Sequence, residues 1–245
     1  MLIAIFTTVC LQAQDYGGFV YGAKGGLSIG LQKWNNFEKD PLFSYQGALY
    51  IETLPVDKKF SVFAQSGYHV RGSAVRFNII NINGGNQGRV TRKFEFNNIS
   101  LAVGAKQRYE VAPQTFAYYM LGIRGEYTLN TNLCNYTDVR DNGFTTSERE
   151  CPFDVFDDFT RDWNYGMILG GGVEFEFAER VGMLIEFSVN PDISQQYQQQ
   201  AGIPRIFNNG STNSNTNTYS EQLVRNTTLE LSIGIRLLRL VEYID

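Results

Sequence analysis

The sequence predicts an all-β protein, an eight-stranded antiparallel up-and-down transmembrane β-barrel with four long extracellular loops and three short periplasmic turns. Three observations lead there. Apolar residues recur with period two, as in Tyr165, Met167, Leu169, Val173, Phe175 and Phe177, then Val181, Met183, Ile185, Phe187 and Val189 beyond Ala178-Glu179-Arg180. The positions between them hold Gly166, Ile168, Gly170, Gly172, Glu174 and Glu176, then Gly182, Leu184, Glu186 and Ser188. Alternation places the two sets on opposite faces of a strand. Secondly, such runs occur along the whole chain with no helical segment to cover their apolar side, so hydrocarbon must cover it. Thirdly, the connections alternate long and short, as in barrels with short periplasmic turns and long external loops.

The first strand is placed at Phe19–Gln32, with Tyr21, Ala23, Leu27, Ile29 and Leu31 on one face. A polar loop from Trp34 to Pro41 follows. The second strand, Phe43–Thr53, carries Phe43, Tyr45, Leu49 and Ile51 outward, and Pro55-Val56-Asp57-Lys58 reads as a tight turn. The third runs from Phe60 to about Val75, and Asn83-Gly84-Gly85-Asn86-Gln87-Gly88 marks a loop after it. The fourth, about Arg92 to Glu110, changes apolar phase at Asn97-Asn98. A bulge there is expected to bring Phe94 and Phe96 to the same face as Ile99, Leu101 and Val103. After Ala112-Pro113-Gln114, the fifth strand shows Tyr119, Leu121, Ile123, Tyr127 and Leu129. Residues 130–162 read as a long acidic loop, and the pair around Ala178 supplies strands six and seven. The stretch 190–224, rich in Gln, Asn, Ser and Thr, is left without regular structure. Thr227–Leu237 closes the set with Leu229, Leu231, Ile233, Ile235 and Leu237.

Composition fits this reading. The 245 residues are 14% aromatic and include 24 glycines, as expected where rings belt an interface and small residues line a narrow lumen. A mean hydropathy of −0.24 and the lack of an apolar run near 20 residues argue against spanning helices. A net charge of −4 argues against a nucleic-acid partner. Residues 1–13 read as a signal peptide ending at Leu11-Gln12-Ala13, and residues 14–245 as the barrel domain. The missing basic segment predicts that the natural start lies upstream. Val9 stands before Cys10 where a lipoprotein needs a small residue. Cleavage leaves Cys134 and Cys151, an even pair that predicts a disulfide in an exported protein.

The run Tyr21-Gly-Ala-Lys-Gly-Gly-Leu-Ser-Ile29 and the Ala13-Gln14 cleavage end resemble the PorT-like family of small Bacteroidota outer-membrane β-barrel proteins. The resemblance spans nearly all of the mature chain and implies the bacterial outer membrane, with both termini periplasmic. It also implies, by analogy with members tied to type IX secretion, an accessory role in protein export. One departure is the tail Arg239-Leu-Val-Glu-Tyr-Ile-Asp245, since such barrels end on an aromatic residue. Tyr243 serves only if the last strand is longer.

Parity turns Lys24, Arg71, Lys106, Arg108, Arg124 and Arg236 into the lumen against Glu52, Glu110, Glu126, Glu174, Glu176, Glu186 and Glu230. Eight strands leave room only for side chains, and unpaired charges in so narrow a space are costly. An ion-pair network that plugs the barrel follows as the expectation. A non-enzymatic, porin-like barrel that presents external loops as a structural or accessory subunit of an envelope complex follows with it.

Two other readings compete: a small-solute channel, and a lipid-modifying enzyme using His69 with Ser66 or Ser73 and with Glu52 as orienting acid. The bland expectation for His69, the lone histidine, is a hydrogen-bonding lumen residue. The acidic loop, with Asp138-Val-Arg-Asp-Asn-Gly143, falls short of a calcium pattern. Gly170-Gly-Gly172 lies inside a strand and cradles no phosphate, so no cofactor is expected. Phe144, Phe153, Phe156, Phe159 and Trp163 in the stapled loop predict either a contact with an envelope protein or glycan, or a cap over the barrel mouth. Outer-membrane lipid is the other expected partner.

Overall fold

The computed structural model describes residues 16–35, 38–55, 59–80, 86–141, 144–150, 155–178, 180–202 and 221–240. Thirteen strands lie among them: β1 (Tyr16–Gly30), β2 (Glu38–Asp40), β3 (Leu42–Pro55), β4 (Phe60–Ile80), β5 (Asn86–Ala112), β6 (Thr115–Thr131), β7 (Asn135–Asp141), β8 (Phe144–Glu150), β9 (Trp163–Ala178), β10 (Val181–Pro191), β11 (Tyr197–Gln199), β12 (Gln222–Val224) and β13 (Thr227–Leu240). Eight of them close a ring in the order β1-β3-β4-β5-β6-β9-β10-β13, each antiparallel to its neighbours, with β13 pairing back onto β1. Closure leaves no unpaired sheet edge, which is the condition for strands to cross a bilayer. No helix among the described residues is long and apolar enough to cross a membrane.

The wall has the reverse polarity of a soluble core. Leu27, Phe43, Leu49, Leu121, Ile123, Phe177, Ile233 and Ile235 are exposed, whereas Glu52, Arg71, Lys106, Glu126 and Glu174 are buried. Only hydrocarbon stabilises such a surface.

Above the wall, polarity inverts again. Trp34, Val75, Phe94, Phe96, Leu133, Val155, Tyr197 and Val224 form a buried cluster at the long-loop end. Trp34 packs on Phe94 and Tyr197 at ring-centre distances of 5.1 and 5.2 Å. Its indole nitrogen donates to Gln32 (3.1 Å), whose amide in turn donates to Gln196 (3.3 Å). Burying the rings here removes them from water, as in any globular core.

Five expectations change. Phe94 and Phe96 do not join the outward face. Positions 94, 96, 98, 100 and 102 of β5 are all buried, so the strand keeps its phase, and the extra residue of the local bulge lies on β6, where Asn97 and Asn98 pair with Asn130 and Thr128. Trp34 is core rather than loop surface. The acidic segment contains the β7–β8 hairpin, and within 190–224 the short pair β11–β12 packs Tyr197 and Val224 into the cap. Finally, β4 and β5 continue to Ile80 and from Asn86, into the stretch read as loop.

Backbone geometry matters at two places. Gly72 has φ +151°, and a Cβ there would lie 1.8 Å from the Phe94 carbonyl oxygen. Glycine alone permits both, and it lets β4 run on past the end of β3 to pair with β2. At the β5–β6 turn, Pro113 fixes the first corner and Gln114 takes φ 58°. The turn residues 56–58 lie outside the described residues, as do residues 1–13 of the expected signal peptide.

Candidate functional site: a charged lumen

The inward residues come from every wall strand because each strand contributes alternate positions to the lumen. They form two layers with a bridge between them. In the layer toward the short-turn end, Lys106 Nζ donates to Glu52 Oε2 (2.9 Å) and Glu174 Oε1 (3.0 Å). Arg108 Nε donates to Glu174 Oε2 (2.9 Å) and its terminal nitrogen to Glu52. The Ser61 hydroxyl donates to Glu52 at 2.5 Å. Arg236 lies 3.1 Å from Glu174 and 3.8 Å from Glu176. Three cations therefore face three carboxylates.

The bridge is Lys24 Nζ donating to Glu186 Oε1 (2.5 Å), while the Tyr118 hydroxyl donates to Oε2 of the same carboxylate (2.8 Å). Gly172 makes room for this, since a Cβ there would lie 2.8 Å from the Tyr118 hydroxyl. The Tyr118 ring also lies under Lys106 Nζ, 4.1 Å from its centre, which ties bridge to layer.

In the layer toward the long loops, Arg71 and Arg124 both donate to Asp192 Oδ1 (2.9 and 2.5 Å). Glu126 Oε1 lies 3.1 Å from Arg71, 2.5 Å from Arg124 and 2.9 Å from His69 Nε2. These approaches are close but misaligned, and neither Glu126 oxygen accepts a hydrogen bond within the protein. His69 Nδ1 lies 3.4 Å from Glu230. In this layer Asp192 takes directional hydrogen bonds, whereas Glu126 is held by the nearness of opposite charge.

All eleven charges expected in the network are thus placed inside the barrel. Two further expected luminal acids differ: Glu110 is exposed at the short-turn rim, and Glu176 is only half-buried there, because strand ends leave the cylinder. Asp192 was missed. It lies one residue past β10 with the parity of the buried positions 182–190, beyond the expected end of the strand, and it joins two arginines. A buried aspartate directly after an apolar run is the trace that sequence offers.

The arrangement needed for a His69-centred enzyme is not assembled. Ser66 is exposed on the opposite face of β4 from His69, Ser73 is buried with no hydrogen-bond partner for its hydroxyl, and Glu52 belongs to the other layer.

The aromatic residues of the acidic loop do not gather into one patch. Phe156 and Phe159 pack edge to face at 6.3 Å, and Phe159 lies 6.3 Å from Tyr197 of the cap. Trp163 instead stands on the wall, edge to face with Tyr127 at 5.1 Å. The Phe144 side chain and all of Phe153 lie outside the described residues. Cys134 is buried, with Sγ 3.7 Å from the Val155 carbonyl oxygen, while Cys151 also lies outside them.

Several solved structures are similar to the chain at low identity. Neisserial surface protein A is 11% identical, with a TM-score of 0.45 over 90% of this chain and 96% of that one. The outer membrane protein OprG from Pseudomonas aeruginosa is 9% identical, with a TM-score of 0.42 over 92% and 98%. Ail, the attachment invasion locus protein of Yersinia pestis, is 10% identical, with a TM-score of 0.37 over 90% and 99%. No curated protein is similar enough in sequence to match. The family model described as "Outer membrane protein beta-barrel domain" matches residues 12–194. A closed wall that is apolar outside and charged within agrees with that match, and the chain belongs to the outer-membrane protein β-barrel domain family.

Proposed function

We propose that this barrel is a closed, non-enzymatic anchor that holds a folded cap and long loops outside the cell, as a structural or accessory subunit of an envelope complex. The observation that carries the proposal is the pairing of buried charges across the lumen. Two layers of charge and the Lys24–Glu186 bridge cross it, and two cavities lined by luminal residues offer about 10 Å³ each, room for roughly one water. Paired charges in so narrow a lumen favour a closed barrel over a solute path or a substrate site.

In this reading residues 1–13 are removed on export, both termini are periplasmic, and Cys134 pairs with Cys151 to staple the loop beside the cap. The resemblance to PorT-like barrels supports a part in protein export. A protein partner would dock on the loop whose sequence carries Phe144, Phe153, Phe156 and Phe159, with Trp163 following it.

Affinity capture of the full chain from cross-linked, detergent-solubilised envelopes tests the accessory role. A defined envelope protein recovered in constant proportion is the expected result. A preparation that is always monomeric and partner-free contradicts it.

A further inference from the structure

The apolar outer surface of the closed wall has a gap on β6. On β6, Ile123, Gly125 and Tyr127 face outward, and a Cβ added to Gly125 would meet nothing within 4 Å. Gly125 pairs with Leu101 on β5 and Tyr165 on β9. Gly125 lies in a slot of about 740 Å³ lined chiefly by Leu101, Ile123, Tyr127, Trp163, Tyr165 and Ile193. The Tyr127–Trp163 pair forms its upper rim.

We propose that this slot seats the acyl chains of a glycolipid of the outer leaflet. The assignment to that leaflet rests on the reading of the long-loop end as extracellular. Depth supports it: Trp and Tyr rings sit at the level of the headgroups, so the slot below Trp163 lies in hydrocarbon. From Ile123 to Tyr127 it runs for roughly 13 Å at about 3.3 Å per residue. That is about half of an apolar band roughly 25 Å tall, the depth of one leaflet.

Width selects the occupant. Leu101 and Tyr165 flank Gly125 on the two adjacent strands, about 10 Å apart at two strand spacings. A helix about 10–12 Å across or the convex wall of a second barrel therefore does not fit between their side chains. Flexible hydrocarbon chains do. In the chain, exposed Arg161 and Asp162 come just before Trp163, and a guanidinium at that level would meet a headgroup phosphate.

Native mass spectrometry of the full chain, extracted from membranes in mild detergent, tests the proposal. The variants are Gly125→Trp, which fills the slot, and Gly47→Leu, which adds a side chain to another outward glycine with its nearest atom at 3.9 Å. Wild type and Gly47→Leu are expected to retain a glycolipid, with occupancy at least roughly ten-fold lower in Gly125→Trp, which corresponds to about 1.4 kcal/mol. Resistance of the folded band to SDS without heating checks that each variant folds; should Gly125→Trp fail that check, Gly125→Leu takes its place. Equal lipid on all three proteins, or none on the wild type, overturns the slot. A retained phospholipid that the slot variant loses overturns the outer-leaflet assignment instead, and so reports on orientation separately.

Discussion

Glu174 stands where three cations meet: Lys106, Arg108 and Arg236 all reach its carboxylate. Removing one member of a buried charge cluster leaves its partners uncompensated, at a typical cost of about 3–5 kcal/mol. Glu230, by contrast, meets His69 at 3.4 Å, and one of its oxygens accepts no hydrogen bond within the protein. We expect Glu174→Ala to destabilise the barrel by about 3–5 kcal/mol and Glu230→Ala by clearly less, measured by reversible denaturant unfolding in lipid vesicles. Equal losses would contradict the difference drawn between these two carboxylates. Sequence parity tells which charges turn inward, because a strand has only two faces. It cannot tell who pairs with whom, since Lys106, Glu52 and Glu174 meet across three strands far apart in the chain. Nor does it reach Asp192, one residue past the strand, or Glu110, where the wall ends.

At the scale of elements, the wall strands were legible because lipid on one side and charge on the other enforce strict alternation. Errors fall where the surroundings change. Phe94 and Phe96 looked like a phase shift, yet β5 never changes phase; its inward side passes from the lumen into the apolar cap. The β7–β8 and β11–β12 pairs were illegible for the opposite reason, being polar hairpins and short bridges with no alternating face. Gly72 is the joint that carries β4 from wall to cap. Gly72→Ala combines a disfavoured φ with a carbonyl clash at 1.8 Å, and should cost about 1–3 kcal/mol or more from the backbone conformation alone. Gly47→Ala on the open wall should stay within about 1 kcal/mol. Parallel unfolding curves for the two variants decide the point, and an equal effect would remove the special role given to Gly72.

The whole molecule arranges one chain against three media. Its wall meets hydrocarbon, its lumen neutralises charge with charge, and its cap excludes water as a soluble core does. The first could be read from periodicity and the second from parity. The third depended on residues scattered from Trp34 to Val224, which no local pattern connects. Closure of the lumen is the claim on which the proposed function stands, and conductance across a planar lipid bilayer tests it most directly. Insertion of the refolded barrel should leave the membrane without steady current under an applied voltage. A large, persistent open level from the wild-type protein would contradict the account.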